Sequence, residues 1–199
     1  MRKRNWKNLP YVTASLVAVN VLVFLICQID GGRLYERGVL DVISVLGGGE
    51  YERLLLSFFL HADFMHLFNN MTVLFFMGAM IERDIGHVPY GVIYFLSGLG
   101  GNALALYWKY LTRNPVGSLG ASGAIFGLDG LLLAIVLLAG SKVPTVTPKR
   151  VFLMILLSLY SGFSGENIDN AGHVAGLLTG FAAGVVYCLI LRKKRSSVS

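Results

Sequence analysis

The residues whose chemistry stands out in this sequence are a serine and a histidine, Ser122 and His173, each lying in a glycine-rich apolar stretch. A serine hydroxyl is a poor nucleophile until a base accepts its proton, and a neutral imidazole accepts protons near neutral pH. Acyl transfer also needs N–H donors for the developing oxyanion, and His66, Asn70 and the backbone N–H of Ser122 are the candidates. These residue types together indicate nucleophilic acyl transfer.

The spacing of these residues suggests how helices bring them together. His66 and Asn70 are four residues apart, so on a helix they face the same way. Glycines flank the other two residues at intervals of three or four, and such small-residue faces let helix backbones pack closely. We therefore expect the Ser122 and His173 helices to pack against each other. The glycines are Gly120, Gly123, Gly127, Gly176 and Gly180.

The composition places these helices in a membrane. Of the 199 residues, 55% are hydrophobic and 14% are charged, and the mean hydropathy is +0.65. These values exclude a disordered chain and predict an all-α, polytopic membrane protein. The length leaves little room for a separate soluble domain, so we expect residues 1–199 to form a single membrane domain. The two cysteines lie inside apolar runs and indicate neither a disulfide framework nor a metal cluster.

Six apolar runs, separated by glycine, proline or charged clusters, predict six transmembrane helices. Most are long enough to cross a hydrocarbon core of ~30 Å, although the fifth is short and needs Lys149 and Arg150 to snorkel or the bilayer to thin locally. The first follows basic residues and lacks a small-residue cleavage site, which predicts an uncleaved signal anchor. The six predicted spans cover residues 11–29, 63–81, 88–111, 117–140, 151–163 and 171–191.

The distribution of basic residues predicts the orientation. Most of them fall on one side of the six spans, which predicts that both termini are cytoplasmic. We expect the protein to lie in the cell membrane, because the sequence shows no organelle-targeting features. They do not line one face, so a nucleic-acid partner is not indicated. We interpret the basic tail 192–195 as the residues that end the last span at the cytoplasmic face. A site that binds lipid or a partner is the less simple alternative. The predicted inner residues are Arg2, Lys3, Arg4, Lys7, Arg83, Lys142, Lys149, Arg150, Arg192, Lys193, Lys194 and Arg195, and the outer ones are Arg33, Arg37, Arg53, Lys109 and Arg113.

The longest predicted connection is the external first loop, from Asp30 to about Ala62. Its apolar run 54–60 is too short to span, which favours an interfacial helix docked on the bundle. The second, fourth and sixth spans all run inward from the outer face. We therefore expect the polar residues early in each of them to share one depth below that face.

With these motifs in order, the sequence resembles the rhomboid family of intramembrane serine proteases. The resemblance covers most of the chain. It rests on Arg53 in the external loop, the His-x-x-x-Asn of His66 and Asn70, the Gly-x-Ser-Gly of 120–123, and the His-x-x-Gly-x-x-x-Gly motif with its preceding small residue at 172–180.

The resemblance implies a six-helix bundle with a catalytic dyad. Ser122 would be the nucleophile, His173 the general base without a third acidic member, and His66 and Asn70 the oxyanion donors. Phe126 would pack against His173, and Arg53 and the glycines would have structural roles. The implied partners are transmembrane protein substrates, cut near the membrane face, and membrane lipids. No cofactor or metal is implied.

Two residues depart from the family pattern. Glu52 precedes Arg53, at a position where many members carry tryptophan. This difference affects how the loop is anchored and does not affect the dyad. Asp129 lies two turns beyond Ser122, about 10 Å deeper by helix rise, which favours a buried structural acid over a third catalytic one.

Three functions compete on the sequence. The leading one is a serine protease acting within or beside the bilayer. The second is a pseudoprotease that binds transmembrane clients without cutting them, although its usual sign is a missing serine or histidine. A transporter using Asp129 and the histidines as a proton relay is disfavoured because no internal repeat is present. Apart from these three, a metal site is not indicated, since His-Glu-x-x-His is absent and His61 does not share the helical face of His66 well. We therefore interpret His61 as a loop-packing residue.

Overall fold

The computed structural model describes residues 9–138, 146–163 and 169–196, which form an all-helical bundle. An isolated antiparallel bridge between Leu40 and Ser118 is its only extended pairing within those ranges. The α-helices of this described part are α1 Tyr11–Ile29, α2 Arg33–Gly38, α3 Arg53–Leu56, α4 Phe64–Val73, α5 Ala79–Ile85, α6 His87–Thr112, α7 Ser122–Leu138, α8 Pro148–Phe163 and α9 Asn170–Ser196.

The α4 and α5 helices form one continuous rod. A π-helical turn, Leu74–Gly78, joins them, so helical structure runs from Phe64 to Ile85. The rod begins where the Asp63 side chain accepts a hydrogen bond from the backbone N–H of His66, which satisfies a donor of the first turn. It ends at Gly86, whose φ of +89° turns the chain directly into α6.

Helix α7 occupies the centre of the bundle. Almost every residue from Ala124 to Ile135 is buried, on all sides of the helix, as expected for a helix that is hydrophobic all round. It packs most extensively against α9, and α6 and α8 cover further parts of its surface. A residue at the start of α7 is thereby held against several neighbouring helices.

Three of the described helical segments are long and apolar enough to cross a membrane, namely Tyr11–Ile29, Phe64–Ile85 and Asn170–Lys193, and Ser122–Leu138 is a shorter apolar helix. The protein is therefore a multi-pass membrane protein. The first predicted span coincides with α1, and helices also lie over the third and fifth, at α6 and α8. Six complete crossings remain a prediction, as does the uncleaved anchor.

The first loop contains short helical turns. Its apolar run 54–60, predicted as an interfacial helix, is helical through α3 and directly into a 3₁₀ turn, Ser57–Phe59. Phe58 of this turn is buried and packs against Gly98 of α6 so closely that a side chain at Gly98 would collide with the ring. This part of the loop is therefore docked on the bundle through a buried aromatic ring.

Several basic residues used for the predicted orientation lie outside the described residues, or their side chains do. These are Arg2, Lys3, Arg4, Lys7, Lys142, Lys194 and Arg195. Lys109, counted among the outer basic residues, lies near the end of α6, inside the predicted span 88–111, and is only 3% exposed.

Candidate active site

Ser122 and His173 are adjacent in the structure. Ser122 is the first residue of α7, and His173 lies in the first turn of α9. The distance from His173 Nε2 to Ser122 Oγ is 2.9 Å, which is a hydrogen bond between residues 51 positions apart in the chain. His173 is largely buried, at 8% exposure. A serine hydroxyl held on a buried imidazole is the arrangement that nucleophilic catalysis requires.

The glycine faces explain why these two helices come so close. A side chain on Gly176 would collide with the backbone of Gly123, and one on Gly180 would collide with the backbone of Gly127. Helix α9 therefore lies directly on the backbone of α7, as the small-residue spacing predicted. The close approach brings the first turns of the two helices within side-chain reach.

The imidazole of His173 has an aromatic neighbour that restricts its orientation. The ring of Phe126 stacks on it with centroids 4.3 Å apart and planes inclined by 8°. Phe126 is one helical turn beyond Ser122, so serine and stacking ring project from the same side of α7. The stack holds the imidazole plane in place beside the serine.

The backbone before Ser122 turns sharply at Gly120, where φ is +113°. This turn is why α7 begins at Ser122 and not at residue 117, where the predicted span began. The N–H of Gly120 donates to the carbonyl of Ser57 in the first loop, at 2.8 Å. A side chain at Gly120 would be strained by this conformation, so glycine meets a local requirement of the backbone.

His66 and Asn70 both reach this turn from α4. A Cβ atom added to Gly120 would lie 2.8 Å from His66 Nε2 and 3.5 Å from Asn70 Nδ2. The Asn70 side chain is buried, and its Nδ2 has no hydrogen-bond partner within the described structure. Two N–H-bearing side chains therefore converge on the backbone that precedes the serine hydroxyl.

His61 lies closer to the site than the sequence interpretation implied. Its ring contacts that of His66 edge to face, with centroids 5.0 Å apart, and it is only 3% exposed. Burial lowers the pKa of His61 to about 3, so its imidazole is neutral at physiological pH. It packs as predicted, but its packing partner is one of the candidate oxyanion donors.

Arg53 ties the first loop together even though Glu52 precedes it. Its guanidinium donates to the backbone carbonyls of Glu36 and Val39, both at 2.8 Å, and to the Glu50 carboxylate at 2.6 Å. The arginine is mostly buried. The anchoring of the loop thus does not depend on the tryptophan found in many family members.

Asp129 makes no contact with the serine–histidine pair. It is fully buried in α7, and the polar group beside its carboxyl is Ser158 of α8. His173 Nδ1, the atom that a third catalytic acid would contact, has no hydrogen-bond partner among the residues that the structure describes. The described residues also contain no group of three histidine, cysteine or acidic side chains placed to hold a metal ion.

One polar cluster beside the site was missed by the sequence reasoning. Lys109, Ser118 and Asp169 are joined by hydrogen bonds next to the start of α9. Burial raises the pKa of Asp169, but hydrogen bonds from Ser118 and the charge of Lys109 outweigh it and hold that pKa below its usual value. The available signal was a lysine at the end of an apolar span and an aspartate four residues before His173.

The sequence also matches a known protein family over most of its length. The family model described as the Rhomboid domain matches residues 48–190. Rhomboid protease GluP of Bacillus subtilis (strain 168) is 32% identical over 178 residues, covering 87% of this chain and 34% of the relative. RHOMBOID-like protein 4 of Arabidopsis thaliana is 37% identical over 154 residues, covering 77% of this chain and 38% of the relative.

A relative of similar length is also found. Putative rhomboid protease YdcA of Bacillus subtilis (strain 168) is 33% identical over 174 residues, which cover 86% of this chain and 85% of the relative. In contrast, the chain spans between a third and two fifths of the length of GluP and RHOMBOID-like protein 4. The family model thus includes Ser122, His173, His66 and Asn70 and the bundle from the end of the first loop onward.

Proposed function

The chain belongs to the rhomboid family, and from this premise we propose that it is an intramembrane serine protease that cleaves transmembrane proteins with a Ser122–His173 dyad. The observation that carries the proposal is the 2.9 Å hydrogen bond between His173 Nε2 and Ser122 Oγ. Its support is Asn70 Nδ2, which lies beside the same turn of backbone and has no hydrogen-bond partner among the residues that the structure describes. Relatives named as proteases agree with this assignment.

The first half of the reaction forms an acyl-enzyme. Ser122 Oγ attacks the carbonyl carbon of the scissile bond while its proton passes to Nε2 of neutral His173. The carbonyl oxygen becomes an oxyanion, which accepts hydrogen bonds from His66, Asn70 and the backbone N–H of Ser122. The C–N bond then breaks, and the imidazolium returns the proton to the leaving amine. The new amino terminus departs and leaves an ester on Ser122.

The second half repeats these roles with water. His173 Nε2 takes a proton from a water molecule as the oxygen attacks the ester carbonyl, and the same donors stabilise the second oxyanion. The ester bond breaks, and His173 returns the proton to Ser122 Oγ. Because Phe126 stacks on the imidazole, the ring keeps its plane through both proton transfers.

The substrate must present an extended backbone to this dyad. Carbonyl groups within a helix are already hydrogen-bonded and surrounded by side chains, so Ser122 cannot approach them. From the family resemblance we propose that the cut falls where a substrate helix ends or unwinds easily, near the membrane face, and follows a small residue.

The proposal is tested with the purified protein in detergent, using a fluorophosphonate probe and a model transmembrane substrate. Wild type is expected to be labelled and to cleave, whereas Ser122→Ala and His173→Ala are expected to do neither. The matched control is Ser15→Ala, because Ser15 is an exposed serine on α1, away from the dyad. This control is expected to keep full labelling and cleavage.

The same experiment separates the competing functions. Cleavage that persists in Ser122→Ala contradicts the mechanism. A folded wild type that the probe does not label, but which co-purifies with transmembrane clients, supports the pseudoprotease instead. Thermal unfolding of each variant shows that loss of labelling does not come from loss of the fold.

We also propose that both termini lie in the cytoplasm of a cell that carries the protein in its cell membrane. The positive-inside bias of the sequence supports this orientation. Cysteine replacements at Lys149 and Arg37, both exposed in the structure, provide the test. In intact cells, a membrane-impermeant maleimide is expected to label the cysteine at 37 and not the one at 149, and the opposite pattern contradicts the orientation.

A further inference from the structure

A buried, charged cluster lies beside the dyad and has no part in the mechanism above. It consists of Lys109 near the end of α6, Ser118 in the segment before α7, and Asp169 just before α9. Lys109 Nζ donates to Asp169 Oδ2 and to the carbonyl of Val116, each at 3.0 Å, and to Ser118 Oγ. Ser118 Oγ donates in turn to Asp169 Oδ2. The three ammonium hydrogens of the lysine thus have three acceptors.

The aspartate shapes the start of the helix that carries His173. Its Oδ1 accepts a hydrogen bond from the backbone N–H of Gly172 at 3.1 Å, which caps the first turn of α9. Its backbone carbonyl accepts from the N–H of His173, also at 3.1 Å. Through these two hydrogen bonds, Asp169 fixes the position of the first turn of α9 and therefore of the His173 backbone.

The serine belongs to the segment that carries the nucleophile. Ser118 precedes the Gly120 turn, and its backbone pairs with Leu40 of the first loop through hydrogen bonds of 2.8 and 2.9 Å. Through its hydroxyl the same residue is joined to Lys109 and Asp169. The cluster therefore connects the backbone leading to Ser122 with the first turn of the His173 helix.

A buried ion pair is not in itself a source of stability, because desolvation offsets most of the attraction. The Lys109 side chain is 4% exposed and that of Asp169 18%, so the pair bears this cost. What such a pair does supply is a fixed geometry, since each hydrogen bond has a defined direction. The dyad depends on geometry, because displacing a catalytic group by about 1 Å can reduce the rate about a hundredfold.

We infer that Lys109, Ser118 and Asp169 are positioning residues that hold the Ser122 segment and the first turn of the His173 helix in register for catalysis. This inference rests on the proposed protease function. Asp169 is not a third member of the dyad, because its carboxylate is occupied by Lys109, Ser118 and Gly172. Its hydrogen-bonded connection to His173 is the backbone carbonyl of Asp169, which accepts from the His173 N–H.

The test uses a double variant, Lys109→Met with Asp169→Asn. It removes both charges together, so no uncompensated charge stays buried, and asparagine can still cap the N–H of Gly172. We expect kcat for a transmembrane substrate to fall about ten- to a hundredfold, with KM changed less than about threefold, because the dyad loses its alignment while substrate contacts persist. The rate of fluorophosphonate labelling is expected to fall by the same factor.

Two further variants keep the test decisive. Lys149→Met removes an exposed lysine at the start of α8 and is expected to leave both rates unchanged. Ser118→Ala keeps the ion pair and removes the hydroxyl link, so it is the variant to measure if the double variant does not fold. We expect it to lower kcat and the labelling rate together by about fivefold or more, because both hydrogen bonds of Ser118 Oγ are lost.

The outcomes distinguish this inference from the proposed function. If wild type is labelled and the folded double variant, or folded Ser118→Ala in its place, is labelled equally fast, the inference is overturned and the protease stands. A rise in KM with unchanged kcat also overturns it, because that pattern indicates a substrate-binding role. If folded wild type is neither labelled nor active, the proposed function fails and the inference falls with it.

Discussion

Gly180 of α9 lies against the backbone of Gly127 on α7 with no space for a side chain between them. One turn closer to the dyad, Gly176 meets Gly123 in the same way. Because the serine and the histidine project from the first turns of these two helices, the separation of the backbones decides whether Nε2 reaches Oγ. The glycines thus set a distance on which the proposed chemistry depends.

A methyl group at this interface is expected to separate the helices. Gly180→Ala should lower the free energy of unfolding by about 1–3 kcal/mol, the usual cost of overpacking, and should lower cleavage as well. Unfolding in detergent measures the first effect. The matched control is Gly123→Ala, because a Cβ there lies 3.6 Å from the carbonyl of Gly172, which is ordinary contact. Equal destabilisation by both variants would refute this account of the interface.

Removing the Asn70 amide is expected to lower the rate and not the binding of substrate. Asn70→Ala should reduce kcat about 10²- to 10³-fold with little change in KM, because an oxyanion forms only in the transition state. Steady-state cleavage of a transmembrane substrate measures both constants. Asn69→Ala, one residue away on the same helix, should be close to wild type. A variant at Asn70 with normal kcat would remove it from the oxyanion hole.

The buried His61 is expected to make the fold less stable in mild acid. Its pKa is about 3 in the fold and near 6.5 when unfolded, so between these values the unfolded chain binds one more proton. The contribution of His61 to the free energy of unfolding is fully present above pH 6.5. Below that pH it decreases by about 1.4 kcal/mol for each pH unit. The charged and titratable groups facing the ring are His66 and Asp63.

His61→Phe isolates this effect, because phenylalanine fills a similar volume and does not titrate. Between pH 6.5 and pH 5, wild type should lose about 2 kcal/mol more unfolding free energy than the variant. Detergent unfolding at the two pH values gives the comparison. Parallel pH dependences for the two proteins would show that His61 is not protonated on unfolding.

The stability of the first loop is expected to depend on Arg53. Arg53→Met leaves the carbonyls of Glu36 and Val39 without their donor and should lower the free energy of unfolding by about 2 kcal/mol or more. Arg37→Met is the control, because Arg37 is exposed on α2. Proteolysis of the loop in the folded protein offers a second readout, with faster cutting expected only in the Arg53 variant. Equal stability of both variants would contradict the anchoring role.

Much of the helical layout follows from local sequence properties. The apolar run 11–29 is observed as α1 with those bounds, and the rhomboid family, inferred from four short motifs, is shown by the comparisons. The length of an apolar run and the spacing of glycines are local properties, so they can be identified in the sequence before any tertiary contact is known. The roles of Ser122, His173, His66 and Asn70 stay proposals that the variants above test.

The start of α7 and the burial of Lys109 depend on contacts between distant parts of the chain. The Gly120 turn starts α7 five residues later than the apolar run began, because Ser57 and Leu40 of the first loop bind the intervening backbone. The sequence identifies Lys109 only as a basic residue near the outer end of an apolar run, yet the lysine is buried against Ser118 and Asp169, which lie 9 and 60 residues away. A hydropathy profile cannot reveal such pairings, because the burial of a charge depends on a partner that only the folded chain brings within reach.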